Sequence, residues 1–164
     1  GHYVGSHSYG HLLYMPWENR DSLLVSREAF EQDLQKSYAK LQSFGIAYHD
    51  APLYLPPYEY YNRTIAAWAK GMGIQLVNFT PGTLSNADYT TPDMGPKYRS
   101  SQAIYNKIME VEKAEGLNGH LMLIHLGTDD RRTDKFYNGY LDKTIRTLTK
   151  KGYRFVPLRE ATGF

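Results

Sequence analysis

Four segments of the chain repeat apolar residues at the three- and four-residue spacing of one helical face. The clearest runs from Ser26 to Phe44, where Ser26 suits an N-cap and Gly45 follows the last turn. Three further segments share the pattern, and each ends just before a glycine, as helices commonly do. The predicted helices span Ser26–Phe44, Tyr61–Met72, Ser100–Glu115 and Tyr137–Lys151, with apolar faces formed by Phe30, Leu34, Tyr38 and Leu41, by Ile65, Trp68 and Met72, by Ile104, Ile108 and Val111, and by Leu141, Ile145 and Leu148.

Short apolar runs separate these helices and predict strands. Strands that alternate with helices indicate a parallel α/β arrangement, either a doubly wound sheet or a barrel. The chain of 164 residues is short for a complete (β/α) barrel, which needs about 250 residues. We therefore expect one domain, residues 1–164, that forms most of such a fold. The predicted strands are His2–Ser6, Pro52–Leu55, Ile74–Phe79, Leu121–His125 and Tyr153–Leu158, and Thr80–Arg99, rich in proline and glycine, is predicted to be a long loop.

Composition limits the chemistry that this chain can use. The formal net charge is +2, and lysine and arginine are mixed with aspartate and glutamate, so nothing favours a nucleic-acid partner. No apolar run is long enough to predict a membrane span. Cysteine is absent, so any metal must be bound by histidine, aspartate or glutamate. The 15 tyrosines, many in predicted loops, can either stack on sugar rings or fill the edges of the core.

Polar residues follow the predicted strands, at the end where parallel α/β folds build their sites. His7 and His11 follow the first strand, and a four-residue gap allows both imidazoles to bind one metal ion. A histidine pair at this spacing also occurs in loops that bind no metal. Because a catalytic zinc usually has three protein ligands, the metal hypothesis requires a third ligand, for which a carboxylate is the best candidate.

His125 ends the predicted strand Leu121–His125 and has two possible roles. It can be a hydrogen-bonded histidine at a strand end, or a general acid or base on the same rim as His7 and His11. His120 begins that strand and His49 lies in a connecting loop, so neither is assigned to the site.

The ordered set of these segments resembles the polysaccharide deacetylases, also called the NodB-homology family or carbohydrate esterase family 4. Gly5-Ser6-His7-Ser8-Tyr9-Gly10-His11 is similar to the family's H-[ST]-x-x-H metal motif, and Leu55-Pro56-Pro57-Tyr58 to its R-P-P-Y motif. Leu123-Ile124-His125 resembles the late L-x-H strand end, and Gly152-Tyr153-Arg154-Phe155-Val156 the closing G-Y-x-F-V strand. Asp88-Tyr89 resembles the family's acidic-aromatic pair more loosely.

The resemblance implies a fold, a cofactor and site residues. The fold would be a deacetylase-type (β/α) barrel, and the reaction would be removal of N- or O-linked acetyl groups from a polysaccharide or oligosaccharide. His7 and His11 would bind a divalent metal, with zinc expected and cobalt or nickel as alternatives. The backbone N–H of Tyr58 would stabilise the oxyanion, and His125 would protonate the leaving group with Asp88 as its partner. Substrate would contact Pro57, Tyr58, Leu123 and Tyr89.

Two departures from the family pattern bear on activity. The family's first motif, paired aspartates that supply the base and the third metal ligand, would precede His7, where the chain has only six residues. The N-terminal strands would therefore be missing, and an upstream segment of the same protein would complete the barrel. Leu55 stands where the family has an arginine. We expect the chain as given to be inactive alone, with Asp88, Asp129 or Asp130 as conceivable but poorly placed substitutes for the base.

Three functional hypotheses remain open from the sequence. The leading one is a metal-dependent carbohydrate deacetylase acting outside the cytoplasm. The second is a catalytically impaired carbohydrate-binding domain with the same fold, a hypothesis based on Leu55 and the tyrosine-rich loops. The third, another barrel metallohydrolase, is disfavoured by the P-P-Y and G-Y-x-F-V segments.

Overall fold

The computed structural model describes residues 2–162, which form two compact units. The first comprises the residues up to Asn78 together with those from Pro157 onward, and the second runs from Phe79 to Val156. Gly1, Gly163 and Phe164, which the predicted domain 1–164 includes, lie outside the described residues.

Helices make up most of the regular structure. Three begin at residues whose side chains accept a hydrogen bond from the first turn, as effective N-caps do: Ser26 from Ala29 N, Asn62 from Ile65 N and Ser100 from Ala103 N. All four predicted helices are present, with ends shifted by a few residues. The helices are α1 (Arg27–Gln42), α2 (Arg63–Gly71), α3 (Ser101–Glu115), α4 (Tyr140–Lys150) and α5 (Leu158–Thr162), with short 3₁₀ helices at Tyr48–Asp50, Pro57–Glu59, Ser85–Tyr89 and Pro92–Lys97.

A small parallel sheet lies in the first unit. Strand β1 (Leu53–Tyr54) pairs with β2 (Gln75–Leu76), and Tyr54 also forms a parallel bridge with Ser6. The three segments thus run in the same direction, so their C-terminal ends meet at one edge. Within this unit the predicted parallel arrangement is confirmed. Both the His7 loop and the turn after β1 leave the sheet at the edge where the C-terminal ends of its strands meet.

The later strand predictions are wrong in the described residues. Residues 121–125 and 153–157 form no ladder, and Leu158 begins α5 instead of ending a strand. A strand forms only where a neighbouring strand makes hydrogen bonds with its backbone N–H and C=O groups along its length. Leu121 pairs with the single residue Thr80, whose N–H donates to Leu121 O at 2.8 Å and whose Oγ1 accepts from Leu121 N at 3.1 Å. The closed barrel therefore stays a prediction.

Each unit has its own hydrophobic core. In the first, α1 and α2 pack on the sheet, and the Tyr14 and Tyr54 hydroxyls hydrogen-bond inside the core. In the second, α3 packs against α4. The predicted face of α4 is partly wrong, because Ile145 is 39% exposed while Thr144 and Leu148 are buried. The fully buried residues of highest volume include Tyr14, Tyr54, Phe30 and Leu34 in the first core and Ile104, Ile108, Phe136 and Leu148 in the second.

A buried arginine holds the segment predicted as the long loop 80–99. Arg132 donates to Thr90 O at 2.6 Å, to Arg99 O at 3.0 Å and to Ser101 Oγ at 3.1 Å. These bonds fix the middle and the C-terminal end of a stretch that contains two 3₁₀ helices, so it is more ordered than its proline and glycine content predicts.

Candidate functional site

His7 and His11 lie next to each other on the loop that follows Ser6. Their ring centroids are 5.1 Å apart, and the rings meet edge to face. His7 Nδ1 lies 2.8 Å from the carbonyl oxygen of Leu55. A carbonyl oxygen can only accept, so Nδ1 carries the proton and a neutral His7 has its lone pair on Nε2. This is the arrangement that orients a metal-binding histidine.

The loop is held by its own serines. Ser6 Oγ accepts from Ser8 N at 3.1 Å, and Ser8 Oγ accepts from His11 N at 2.9 Å. Ser8 and His11 both have left-handed backbone angles, with φ of 74° and 50°. These bonds stabilise a conformation that non-glycine residues otherwise avoid.

Helix α1 anchors the loop from below through two residues that sequence analysis missed. The buried carboxylate of Asp33 accepts from Tyr9 N at 3.0 Å and from Gly10 N at 2.7 Å. Ser37, one helical turn later, shares a 2.8 Å hydrogen bond with Ser6 through their Oγ atoms. A Cβ at Gly10 would lie 2.8 Å from Asp33 Oδ1, so any other residue here would displace the carboxylate that holds the loop. The signal in the sequence was a pair of polar residues, four apart, inside the apolar face of α1.

The Pro57–Glu59 turn brings Tyr58 to the histidines. The rings of His11 and Tyr58 have centroids 4.4 Å apart. Tyr58 and Glu59 have φ of 58° and 53°, so four of the five described non-glycine residues with positive φ lie in this turn and the histidine loop. Such strain persists only where surrounding contacts enforce it, and it clusters at functional sites. Pro57 is buried beneath the turn.

His125 in the second unit is paired with a buried carboxylate. Asp88 Oδ1 lies 2.6 Å from His125 Nδ1, and Asp88 Oδ2 accepts from His125 N at 2.8 Å. The Asp88 side chain is fully buried, whereas that of His125 is 33% exposed. A carboxylate in this position fixes the ring and stabilises an imidazolium. The Tyr89 ring lies 5.8 Å from that of His125.

Of the other acids considered as a base, Asp129 is held as a carboxylate in an ion pair with Arg131. The Arg131 guanidinium hydrogen-bonds both of its carboxylate oxygens and lowers the pKa of Asp129 to about 2. A carboxylate with so low a pKa is a weak base at neutral pH. Asp130 is fully exposed, and its nearest ion-pair partner, Lys135, lies 3.9 Å away.

The remaining candidates are less informative. Leu123 is half-buried, and Trp68 packs on Phe30 with ring centroids 5.8 Å apart, which confirms its core role. Across residues 2–162, no group of three or more histidine, cysteine, aspartate or glutamate side chains is arranged to hold a metal. None of the helices in the described part of the chain is both long and apolar enough to span a bilayer.

The structure thus brings the site residues together in two groups. His7, His11, Pro57 and Tyr58 belong to the first unit, and Asp88, Tyr89, Leu123 and His125 to the second. The predicted convergence of all of them on one rim concerns both units and stays a prediction.

Solved structures resemble the chain closely in fold and weakly in sequence. The Bc1960 peptidoglycan N-acetylglucosamine deacetylase, in complex with 4-naphthalen-1-yl-N-oxidanyl-benzamide, matches with a TM-score of 0.70 and 21% identity, over 98% of this chain and 63% of its own. BA3943, a CE4 family pseudoenzyme from Bacillus anthracis, matches with a TM-score of 0.63 and 17% identity, over 96% and 45%. A BA3943 mutant with restored enzymatic activity matches with a TM-score of 0.62 and 18% identity, over 96% of this chain and 47% of its own.

These neighbours differ in activity but share one fold. The chain spans from 45% to 63% of the length of these structures. No family model and no curated protein matches the chain. The chain therefore has the fold of the carbohydrate esterase family 4 deacetylases, a group that includes both enzymes and pseudoenzymes.

Proposed function

We propose that the protein is a divalent-metal-dependent hydrolase that removes acetyl groups from an N- or O-acetylated polysaccharide. The observation that carries this proposal is the hydrogen bond between His7 Nδ1 and Leu55 O, beside the ring of His11. That bond leaves His7 Nε2 as a ligand atom in a loop that the side chains of Ser6, Ser8 and Asp33 hold in place.

The donor set favours zinc, with cobalt and nickel as alternatives, since imidazole suits all three. A bound ion would polarise the acyl carbonyl and lower the pKa of a water molecule. His7 and His11 would supply two ligands. The third ligand and the base are expected from the paired aspartates of an upstream segment, a prediction that rests on the family resemblance.

The protein groups then have distinct roles. Tyr58 adjoins His11, and its backbone N–H is proposed to donate to the oxyanion that forms on the acyl carbon. His125 is proposed to donate a proton to the departing amine or alcohol. Asp88 would hold the His125 ring and balance its positive charge, for which its buried position and two hydrogen bonds to His125 are suited.

The proposed substrate class is based on that of a structural neighbour. Bc1960 deacetylates peptidoglycan N-acetylglucosamine, and we propose an acetylated polymer of this general kind, which would place the protein outside the cytoplasm. Pro57, Leu123 and Tyr89 remain proposed contacts for that polymer. Leu55 contributes its backbone carbonyl to the histidine loop, and this contact does not depend on the identity of its side chain.

The experiment that tests this function is acetate release by the full-length protein. Peptidoglycan, chitin oligomers and acetylated xylan would be incubated with added zinc or cobalt, and with a chelator as the control. We expect metal-dependent release from at least one polymer, lost in His125→Ala and retained in His49→Ala, a matched exposed histidine beside Asp50. Absence of release from all three by a folded, metal-loaded protein would contradict the proposal.

A further inference from the structure

An exposed tryptophan lies beside the proposed metal histidines. Trp17 follows Pro16 in the loop between His11 and α1, and 57% of its surface is exposed. Tryptophan is highly buried on average, so an indole left open to solvent on a fixed loop needs an explanation. The first unit's core contains Met15 and Tyr14 just before it, but Trp17 is not among the residues that pack on that core.

The indole is held in place by aromatic neighbours. It lies 5.0 Å from the Tyr60 ring at an interplanar angle of 31°, and 5.5 Å from the Tyr58 ring at 84°. Tyr60 donates through its hydroxyl to Pro16 O at 3.3 Å. The indole thus packs against Tyr58 and Tyr60 while more than half of the Trp17 surface is exposed to solvent.

The same loop is fixed at its far end. Arg20 lies over the Tyr60 ring, with Cζ 4.8 Å from the centroid, and its Nε donates to Tyr61 O at 2.8 Å. Asn62 at the start of α2 donates to Arg20 O at 2.9 Å. The loop that presents Trp17 is thus attached to the 60–62 segment at both ends, so the indole is preorganised for a ligand.

These side chains form a continuous row that starts at the metal histidines. Tyr58 contacts both the His11 ring, at 4.4 Å, and the Trp17 ring, at 5.5 Å. We define the aromatic row as Tyr58, Trp17 and Tyr60, with Arg20 at its end. A pyranose presents C–H groups on its faces and hydroxyls at its edges, which matches aromatic faces bordered by tyrosine hydroxyls and a guanidinium.

We infer that the aromatic row is a binding subsite for sugar rings that flank the acetylated one, with Trp17 as the stacking platform. The ligand is a pyranose oligosaccharide, because only an extended polymer would reach from the histidines along the row. This choice of ligand rests on the proposed deacetylase function. The side chains of the aromatic row contribute to affinity for long substrates, and only the backbone N–H of Tyr58 has a role in the reaction.

The test is binding of N-acetylglucosamine oligomers to the full-length protein, measured by calorimetry and by tryptophan fluorescence. We expect Trp17→Ala to weaken binding about tenfold, and Trp17→Phe to retain most of it. Oligomer addition should shift the wild-type emission, and Trp17→Phe should lose that shift. Phe44→Ala, which removes another exposed aromatic residue, is the matched control and should bind normally.

The outcomes separate this inference from the proposed function. Equal affinity for wild type and a folded Trp17→Ala, or a fluorescence shift that persists in Trp17→Phe, would overturn the subsite whether or not acetate is released. Trp17-dependent binding without acetate release would support the subsite and contradict the deacetylase proposal. A higher KM for long oligomers in Trp17→Ala, with kcat unchanged, would support both.

Discussion

Two histidines in different units of the chain are held through the same ring nitrogen by different kinds of oxygen. His7 Nδ1 lies 2.8 Å from the backbone carbonyl of Leu55, and His125 Nδ1 lies 2.6 Å from the carboxylate of Asp88. A carbonyl is neutral and fixes the tautomer without adding charge, which leaves the opposite nitrogen suited to bind a metal. A carboxylate carries a negative charge and stabilises the imidazolium, which suits proton transfer.

The surroundings of His7 and His125 also differ. The His7 loop is exposed, and its backbone is fixed by Ser6, Ser8 and Asp33. His125 is fixed through both its ring and its backbone by one buried side chain, Asp88. The hydrogen-bond partner of Nδ1, more than the position of each histidine in the sequence, therefore distinguishes the proposed metal ligand from the proposed general acid.

The largest effect on acetate release is expected from removing the charge of Asp88, the partner of His125. Asp88→Asn keeps the size of the side chain but removes its charge, so acetate release by the full-length protein should fall by about 100-fold to 10,000-fold. Zinc affinity should stay unchanged, because Asp88 is not proposed as a ligand. Asp130→Asn, at a fully exposed carboxylate, is the control. Loss of zinc binding in a folded Asp88→Asn would indicate a metal at His125 and contradict the roles given to the two histidines.

The next effect is on metal binding. His7→Ala should weaken zinc binding by more than the 10- to 100-fold typical of losing an outer-shell partner, since a direct ligand is removed. Calorimetric titration of zinc or cobalt measures it, with His49→Ala as the matched histidine control. Equal zinc affinity of wild type and His7→Ala would show that His7 is not a metal ligand and would contradict the role given to it in the comparison with His125.

A smaller effect is expected from Asp33, which holds the loop without touching the metal. An asparagine can accept one of the two hydrogen bonds from Tyr9 N and Gly10 N, but its NH₂ group would face the other donor. Zinc affinity of Asp33→Asn should therefore fall about tenfold, while near-UV circular dichroism stays native. Asp50→Asn, an exposed carboxylate in the same unit, should bind zinc normally. Normal affinity in a folded Asp33→Asn would show that α1 does not position the loop.

The helices were more predictable from the sequence than the strands. The helices were predictable because apolar spacing and N-cap residues such as Ser26 and Ser100 act locally. Residues 121–125 have the apolar composition of a strand, but a strand also needs neighbours in space, which a local pattern does not supply. The His125–Asp88 pairing was anticipated through the family resemblance.

The contacts that the supporting residues make with the site were not predictable from the sequence. Asp33 and Ser37 are separated from the histidine loop by more than 20 residues in sequence, and their roles depend on where α1 crosses the loop. The left-handed angles of Tyr58 and Glu59 carry no sequence signature, since neither residue is glycine. Trp17 belongs to no periodic pattern of apolar residues, because it lies in a loop.

The tautomer of His7 tests the central claim most directly. Long-range ¹H–¹⁵N correlation spectra of the histidine rings, recorded near neutral pH with His7→Ala for assignment, distinguish a protonated Nδ1 from a protonated Nε2. We predict that His7 is protonated at Nδ1 and that added zinc shifts its Nε2 resonance, while the His125 ring signals stay in place. A His7 ring protonated at Nε2, or a zinc shift that appears at His125 and not at His7, would contradict the account.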